Sequence, residues 1–303
     1  MQDKKSFLSE KDDILFFILA GGRGSRLAPL TNDCPKPLVR FGLSSRIIDF
    51  TLYNCLIYSG NKIIILTQYL SGMIEKYILE NWKKAFEIQG KSLRMVSGND
   101  SQMGSFSGTS DAVYKVLSAM TSPSRIVVVL AADHIYRMDY RSLVQFHMEH
   151  GKAATVCTIP CEHEQAHRFG IIVNGQDGTI NTFLEKPLSL EDIVPPHIYP
   201  YASMGIYVFS TAPLLKYLKK NQGKTSHDFG KDILPDIVKS HEAVAYPFLR
   251  PDGQPYFWRD IGDLSAYQKA SEEFFNGQYK LLRFDNTQGA KQLPTHLLCI
   301  NTS

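Results

Sequence analysis

Short apolar runs, separated by helix-length amphipathic stretches, constrain the fold of this chain more than any other feature. Leu15–Ala20, Lys62–Leu66 and Arg125–Leu130 are dominated by Ile, Val, Leu and Phe, and Ala154–Ile159 is a further β-rich run of Ala, Thr, Val, Cys and Ile. Strands of that kind need apolar cover on both faces. Ser44–Ser59, Asp111–Met120 and Arg141–His150 lie between them with helix-like spacing. The alternation predicts an α/β fold, a mixed, mostly parallel sheet flanked by helices on both faces.

The second half reads differently. Ile171-Ile172-Val173 and Thr179–Leu184 flank Asp177-Gly178, a strong hairpin-turn pair, so an antiparallel section is expected there. Strands follow at Gly205–Phe209 and Val244–Phe248, with helices at Ala212–Lys220, Lys231–Ser240 and Leu264–Phe274. Pro187–Pro200 holds four prolines and reads as an irregular excursion. No composition break divides the first ~270 residues. The expected organisation is one domain over 1–277, followed by a tail or truncated linker over 278–303.

Composition narrows the partners. A net charge of +3 with no basic run gives no reason to expect nucleic acid or a membrane. No apolar stretch approaches the ~20 residues of a membrane-spanning helix. The first dozen residues are polar and mixed in charge, unlike a secretory signal. Five scattered cysteines fit reduced thiols, so a cytoplasmic setting is expected.

Three motifs carry chemistry. The run Gly21-Gly22-Arg23-Gly24-Ser25-Arg26-Leu27 follows the first strand. Glycines after a buried strand let backbone N–H groups approach an anion, and the arginines can neutralise its charge. Neither G-x-x-x-x-G-K-[ST] nor G-x-G-x-x-G fits, which excludes a P-loop and a dinucleotide fingerprint. A plain tight turn is the alternative. Lys36, between Pro35 and Pro37, is expected in extended chain, placed to reach a fixed phosphate. The second motif ends the run Val127–Leu130 with Ala131-Ala132-Asp133-His134. A carboxylate past a buried strand can hold Mg²⁺, a hard cation that prefers oxygen ligands, or can cap a helix. The third is Glu185-Lys186-Pro187 at a strand end. Its carboxylate can accept sugar hydroxyls and its ammonium can neutralise a sugar phosphate, or the two can form a surface ion pair.

The string Leu19–Leu27 followed by Pro35-Lys36-Pro37 resembles the signature of the sugar-nucleotide pyrophosphorylases. Asp133-His134-Ile135-Tyr136, Ala202–Phe209 and Ser226–Asp232 are similar to the ADP-glucose branch of that family. The resemblance covers roughly residues 15–270 and implies a Rossmann-like nucleotidyltransferase fold. It implies that Arg26, Lys36 and Asp133 are catalytic, and that Gly21, Gly22, Arg23, Gly24, Gly108, Thr109 and Asp111 bind the nucleotide. Gly170, Glu185, Lys186 and Ser203 would bind the sugar phosphate. Asp260, after Trp258-Arg259, would join Asp133 in holding Mg²⁺. The implied substrates are ATP and glucose 1-phosphate, with ADP-glucose and pyrophosphate as products in glycogen or α-glucan synthesis, and with a homo- or hetero-oligomer compatible.

This sequence also departs from the family. Ser107 stands where an arginine is common, and Ala132 where glycine usually precedes the aspartate. The paired glutamines that read adenine in many members have no clear counterpart, Gln102 being a loose substitute. Asp33-Cys34 replaces basic residues tied to activation by sugar phosphates. The hexapeptide repeats of a C-terminal β-helix are not found before Ser303. Three rivals stand beside the main reading: a pyrophosphorylase for another base, a non-catalytic regulatory subunit, and a glycosyltransferase, which would need a D-x-D pair that Asp133 and Asp139 do not make. Cys157, Cys161, His163 and His167 have zinc-like letters, but Cys157 falls inside a buried strand and an ordinary strand and loop is expected.

Overall fold

The structure is a computed structural model and describes residues 13–58, 60–101, 103–189, 200–223 and 226–276. Gln102, the tail after 277 and most of the Pro187–Pro200 excursion lie outside the described residues. The strands are β1 (Ile14–Ala20), β2 (Arg40–Phe41), β3 (Ser45–Arg46), β4 (Lys62–Thr67), β5 (Ser92–Ser97), β6 (Ile126–Ala131) and β7 (His134–Tyr136). After them come β8 (Ala154–Pro160), β9 (Gly170–Asn174), β10 (Ile180–Glu185), β11 (Tyr201–Ser210), β12 (Ala243–Pro247) and β13 (Trp258–Asp260). The helices are α1 (Ile47–Tyr58), α2 (Ser71–Asn81), α3 (Lys83–Ile88), α4 (Thr109–Ala119), α5 (Tyr140–His150), α6 (Thr211–Lys220), α7 (Leu234–Lys239) and α8 (Leu264–Phe275). The expected mixed sheet with flanking helices is therefore present.

Two compact units interleave along the chain. Of the described residues, one takes those up to 15 and those of 107–129 and 141–255, the other those of 16–106, 130–140 and 256–276, so β1 and β6 each contribute residues to both. This interleaving leaves no single linker to be seen in the composition.

In the first unit the strand order is β10-β9-β11-β6, with β8 on β11 and β12 on β8. The hairpin expected around Asp177-Gly178 joins β9 and β10 antiparallel, with Glu185 opposite Gly170. Gly178 has φ +79, a conformation that L side chains rarely adopt and that the turn requires. Val127, Val128 and Val129 of β6 are fully buried against β11, where Phe209 stacks on Phe229 at 5.5 Å. Amphipathic α4 and α6 turn their apolar stripes, including Val113, Leu117, Leu214 and Leu218, inward.

In the second unit β1 neighbours β4, and β4 pairs with β5 in parallel. Six of the seven β1 residues are buried, which explains its unbroken apolar letters. Helix α1 is apolar all round, with Ile47 through Leu56 buried, as a helix inside the core must be. Its Asp49 is fully buried, and the carboxylate accepts from Trp82 Nε1 (2.8 Å), Tyr77 Oη (2.8 Å) and the Arg46 backbone N–H (2.7 Å). Those donors replace the water that a buried charge loses. Among the described residues, no helix is long and apolar enough to cross a membrane.

Candidate active site

The best-formed cluster of chemically competent groups lies in the second unit, past the carboxyl ends of β1 and β6. The Ala132 backbone N–H donates to Leu19 O at 3.1 Å, so the two strands end side by side. The glycine loop leaves β1 there. Gly24 has φ +66, and a Cβ on it would lie 2.6 Å from Lys36 Cβ. Only glycine serves both needs. Arg23 lies with its guanidinium carbon 5.2 Å from the Tyr69 ring centre, and Arg26 is exposed on the 3₁₀ turn Ser25–Leu27.

Lys36 is not in the extended chain expected from its flanking prolines. Pro35 alone is extended, and Lys36–Leu38 form a 3₁₀ turn closed by Leu38 N–H on Pro35 O (2.8 Å). Proline is tolerated in the first turn of a helix because its missing N–H would have no partner there. The turn buries Lys36 to 8% exposure and sends Nζ to Asp133 Oδ2 at 2.5 Å.

Asp133 follows β6 but caps no helix: β7 begins at the next residue. Two buried polar side chains of α1 hold the connection. Thr51 Oγ1 donates to Ala131 O (3.0 Å), and Asn54 Nδ2 donates to Tyr136 O (3.1 Å). Asp260 arrives by strand pairing. β13 runs antiparallel to β7 with Asp260 opposite His134, and Ile261 N–H donates to Asp133 O (3.3 Å). Arg259 clamps β13 to α8 through a two-pronged bridge to Glu273 at 2.8 and 2.9 Å. Asp263, three residues on from Asp260, is the N-cap of α8 and accepts from Ala266 N–H.

The result is a group of Asp133, His134 and Asp260 whose ligand atoms all lie within 4.8 Å of one another. Burial opposes ionisation of Asp133, but the charge of Lys36, the neighbouring His134 and the bond from Lys36 outweigh it and hold the carboxyl at about 2. Two ionised carboxylates converging beside a lysine form a hard oxygen donor set, which fits Mg²⁺ or Mn²⁺. Cys157 is buried within β8, with Sγ against Met204 Sδ.

The other sequence-expected residues gather in the first unit. Glu185 ends β10, with Lys186 Nζ 3.4 Å from its Oε1. Burial lifts the Glu185 carboxyl above its usual range; Lys186 opposes the lift and Asp228 adds to it. Space for that carboxylate is made by glycine. A Cβ on Gly170 would lie 2.9 Å from Oε2, and one on Gly230 would collide with the same atom. Ser203 is buried at 7% exposure, its hydroxyl donating to Tyr207 Oη (3.3 Å). Thr109 Oγ1 donates to Asp228 Oδ2 (3.3 Å), and a Cβ on Gly108 would strike the carbonyls of Ser226 and His227. Asp111 faces its own helix: it accepts from Ser107 N–H (2.9 Å) and lies 3.1 Å from Lys115.

Residues 16–276 match the nucleotidyl transferase family. The chain belongs to that family. Among similar curated proteins are glucose-1-phosphate adenylyltransferase 2 of Vibrio parahaemolyticus, 37% identical over 266 residues, and the glucose-1-phosphate adenylyltransferase of Shewanella frigidimarina, 38% over 267. The glucose-1-phosphate adenylyltransferase of Paraburkholderia phytofirmans is 39% identical over 268 residues. These alignments cover 85–86% of this chain but only 66%, 64% and 64% of the relatives, so the chain spans just under two thirds of their length. Sequence reasoning singled out Asp133 and Asp260 but missed His134 and Asp228 as parts of these clusters. His134 had a signal in strand spacing: Trp258 and Asp260, two apart on β13, share a face with the residue opposite.

Proposed function

We propose that residues 1–277 form a catalytic domain that transfers the adenylyl group of ATP to α-D-glucose 1-phosphate. The products are ADP-glucose and pyrophosphate, for α-glucan synthesis in the cytoplasm. The observation that carries this reading is the Lys36–Asp133–Asp260 cluster at the strand ends, in a chain similar to three adenylyltransferases.

The sugar phosphate is already ionised, so one of its oxygens can attack the α-phosphorus in line while pyrophosphate leaves on the opposite side. No side-chain nucleophile is needed, and catalysis reduces to positioning and charge neutralisation. In this reading the backbone of Gly21, Gly22 and Gly24 cradles the triphosphate, with Arg23 and Arg26 neutralising its outer oxygens. Lys36 donates to a phosphate oxygen near the leaving group. Asp133 and Asp260 would hold Mg²⁺, whose contribution when bound is to spread the charge of the reacting phosphates. Gly108, Thr109 and Asp111 shape the nucleotide site. Glu185 accepts sugar hydroxyls, Lys186 neutralises the sugar phosphate, Ser203 contacts the glucose, and Gly170 gives the Glu185 carboxylate its place.

Purified protein with ATP, glucose 1-phosphate and Mg²⁺ is expected to release pyrophosphate and ADP-glucose in equal amounts. Absence of product with every nucleotide tried would overturn the reading.

A further inference from the structure

His134 stands between the two carboxylates just described, and its ring is the one member of the cluster with no role in the proposed chemistry. It is buried to 7% exposure. The Trp258 indole packs edge-on against it, ring centres 5.2 Å apart, and sends Nε1–H toward His134 Nδ1 at 3.4 Å. On the opposite side, His134 Nε2 lies 3.5 Å from Asp133 Oδ1 and 3.7 Å from Asp260 Oδ1.

These contacts fix the tautomer. An indole N–H can only donate, so Nδ1 keeps its lone pair and the ring proton sits on Nε2. Ionised carboxylates can only accept, so both aspartates favour the same arrangement. A nitrogen that carries a proton has no lone pair for a cation. We infer that His134 is a positioning residue: its Nε2–H edge faces the carboxylates of Asp133 and Asp260 at 3.5 and 3.7 Å, and its attraction for both keeps the pair converged for a divalent cation without the ring ligating it.

The two aspartates depend on it unequally. Lys36 also holds Asp133, whereas His134 is the only side-chain partner of Asp260 among the described residues. Without the imidazole, like-charge repulsion would turn the Asp260 carboxylate away, and the cation would keep one well-placed protein ligand instead of two. Groups that orient ligands in this way typically change metal affinity by about 10–100-fold when removed.

This inference rests on Asp133 and Asp260 being cation ligands, and the test separates the two ideas. Long-range ¹H–¹⁵N spectra of the full chain labelled with ¹⁵N-histidine need no cation. They should show His134 with its proton on Nε2; a proton on Nδ1 alone would overturn the inference. Mn²⁺ added to the same sample, without nucleotide, is then read by pulsed electron paramagnetic resonance. Weak or absent ¹⁵N coupling is expected, and the strong coupling of a directly bound imidazole would overturn it. Mn²⁺ failing to bind the unaltered chain would count against the carboxylate reading instead.

Variants supply a further check. His134→Gln keeps an N–H donor and should hold Mn²⁺ within about threefold of the unaltered protein. His134→Leu should weaken Mn²⁺ binding at least about tenfold. Equal affinities for the two variants would contradict the inference. Should His134→Leu fail to fold, the spectra of the unaltered chain still decide.

Discussion

Asp133 and His147 show how burial can be answered in opposite ways within one chain. Asp133 keeps its charge because Lys36 lies 2.5 Å away, whereas His147 gives its charge up. Burial, with the neighbouring His150 adding to it, pushes the His147 imidazole down to about 4. Its ring nitrogens face Thr155 Oγ1 at 2.9 Å and Ser210 Oγ at 3.1 Å. Because the folded value lies below the ordinary 6.5, the unfolded chain takes up a proton that the folded chain refuses. Stability should be full above pH 6.5, fall as pH drops toward 4, and level off below. Urea unfolding at pH 7.5 and 4.5 should show a loss from this residue of up to about 3 kcal/mol that His147→Gln does not share. At the cluster, Asp133→Asn should lower turnover by about 10³-fold or more while leaving the far-ultraviolet circular dichroism unchanged. Near-normal turnover in that variant would remove Asp133 from the proposed chemistry.

The β6–β7 turn is held in place by neighbours that touch no substrate in the proposed reaction. Asn54 donates to Tyr136 O and accepts from Met138 N–H at the carboxyl end of β7, and Thr51 donates to Ala131 O before the turn, so α1 holds the connection from inside the core. Asn54→Ala should cost about 1–3 kcal/mol in urea unfolding, since it leaves backbone groups buried without partners. Strands β1, β6 and β8 could be read from the sequence because nearly every residue in them is buried. The sequence offered no such signal for α2, where Ile74 and Ile78 are the only buried residues, or for β5, whose six residues include none that is fully covered. Asn54 and Asp49 were equally hidden: a polar letter inside an apolar helix does not say which backbone or indole it meets. Asp133 and Asp260 were legible through motif resemblance, but their convergence depends on the β7–β13 register, a contact spanning more than a hundred residues. Lys36 was found for the right charge and the wrong backbone, because Pro37 was read as forbidding a turn that its place in the first turn allows.

Across the whole molecule, each compact unit is stitched from three separate stretches, so neither can be excised by a single cut. The cluster of Lys36, Asp133 and Asp260 belongs to one unit, and the Glu185, Lys186 and Ser203 group to the other. If both serve one reaction, a substitution in either should slow product formation but act differently on the two substrates. Lys186→Ala should raise the KM for glucose 1-phosphate by about tenfold or more with little change in that for ATP, since it removes one charge-assisted contact. An equal rise for both substrates would argue against a sugar-phosphate role. The central claim is nucleotidyl transfer to glucose 1-phosphate with adenine as the base, and it is tested most directly by pyrophosphate release. The full chain should be assayed with Mg²⁺, glucose 1-phosphate and, in turn, ATP, UTP, dTTP, CTP and GTP. Highest kcat/KM with ATP is the expected result; release that is absent throughout, or fastest with another base, would contradict it.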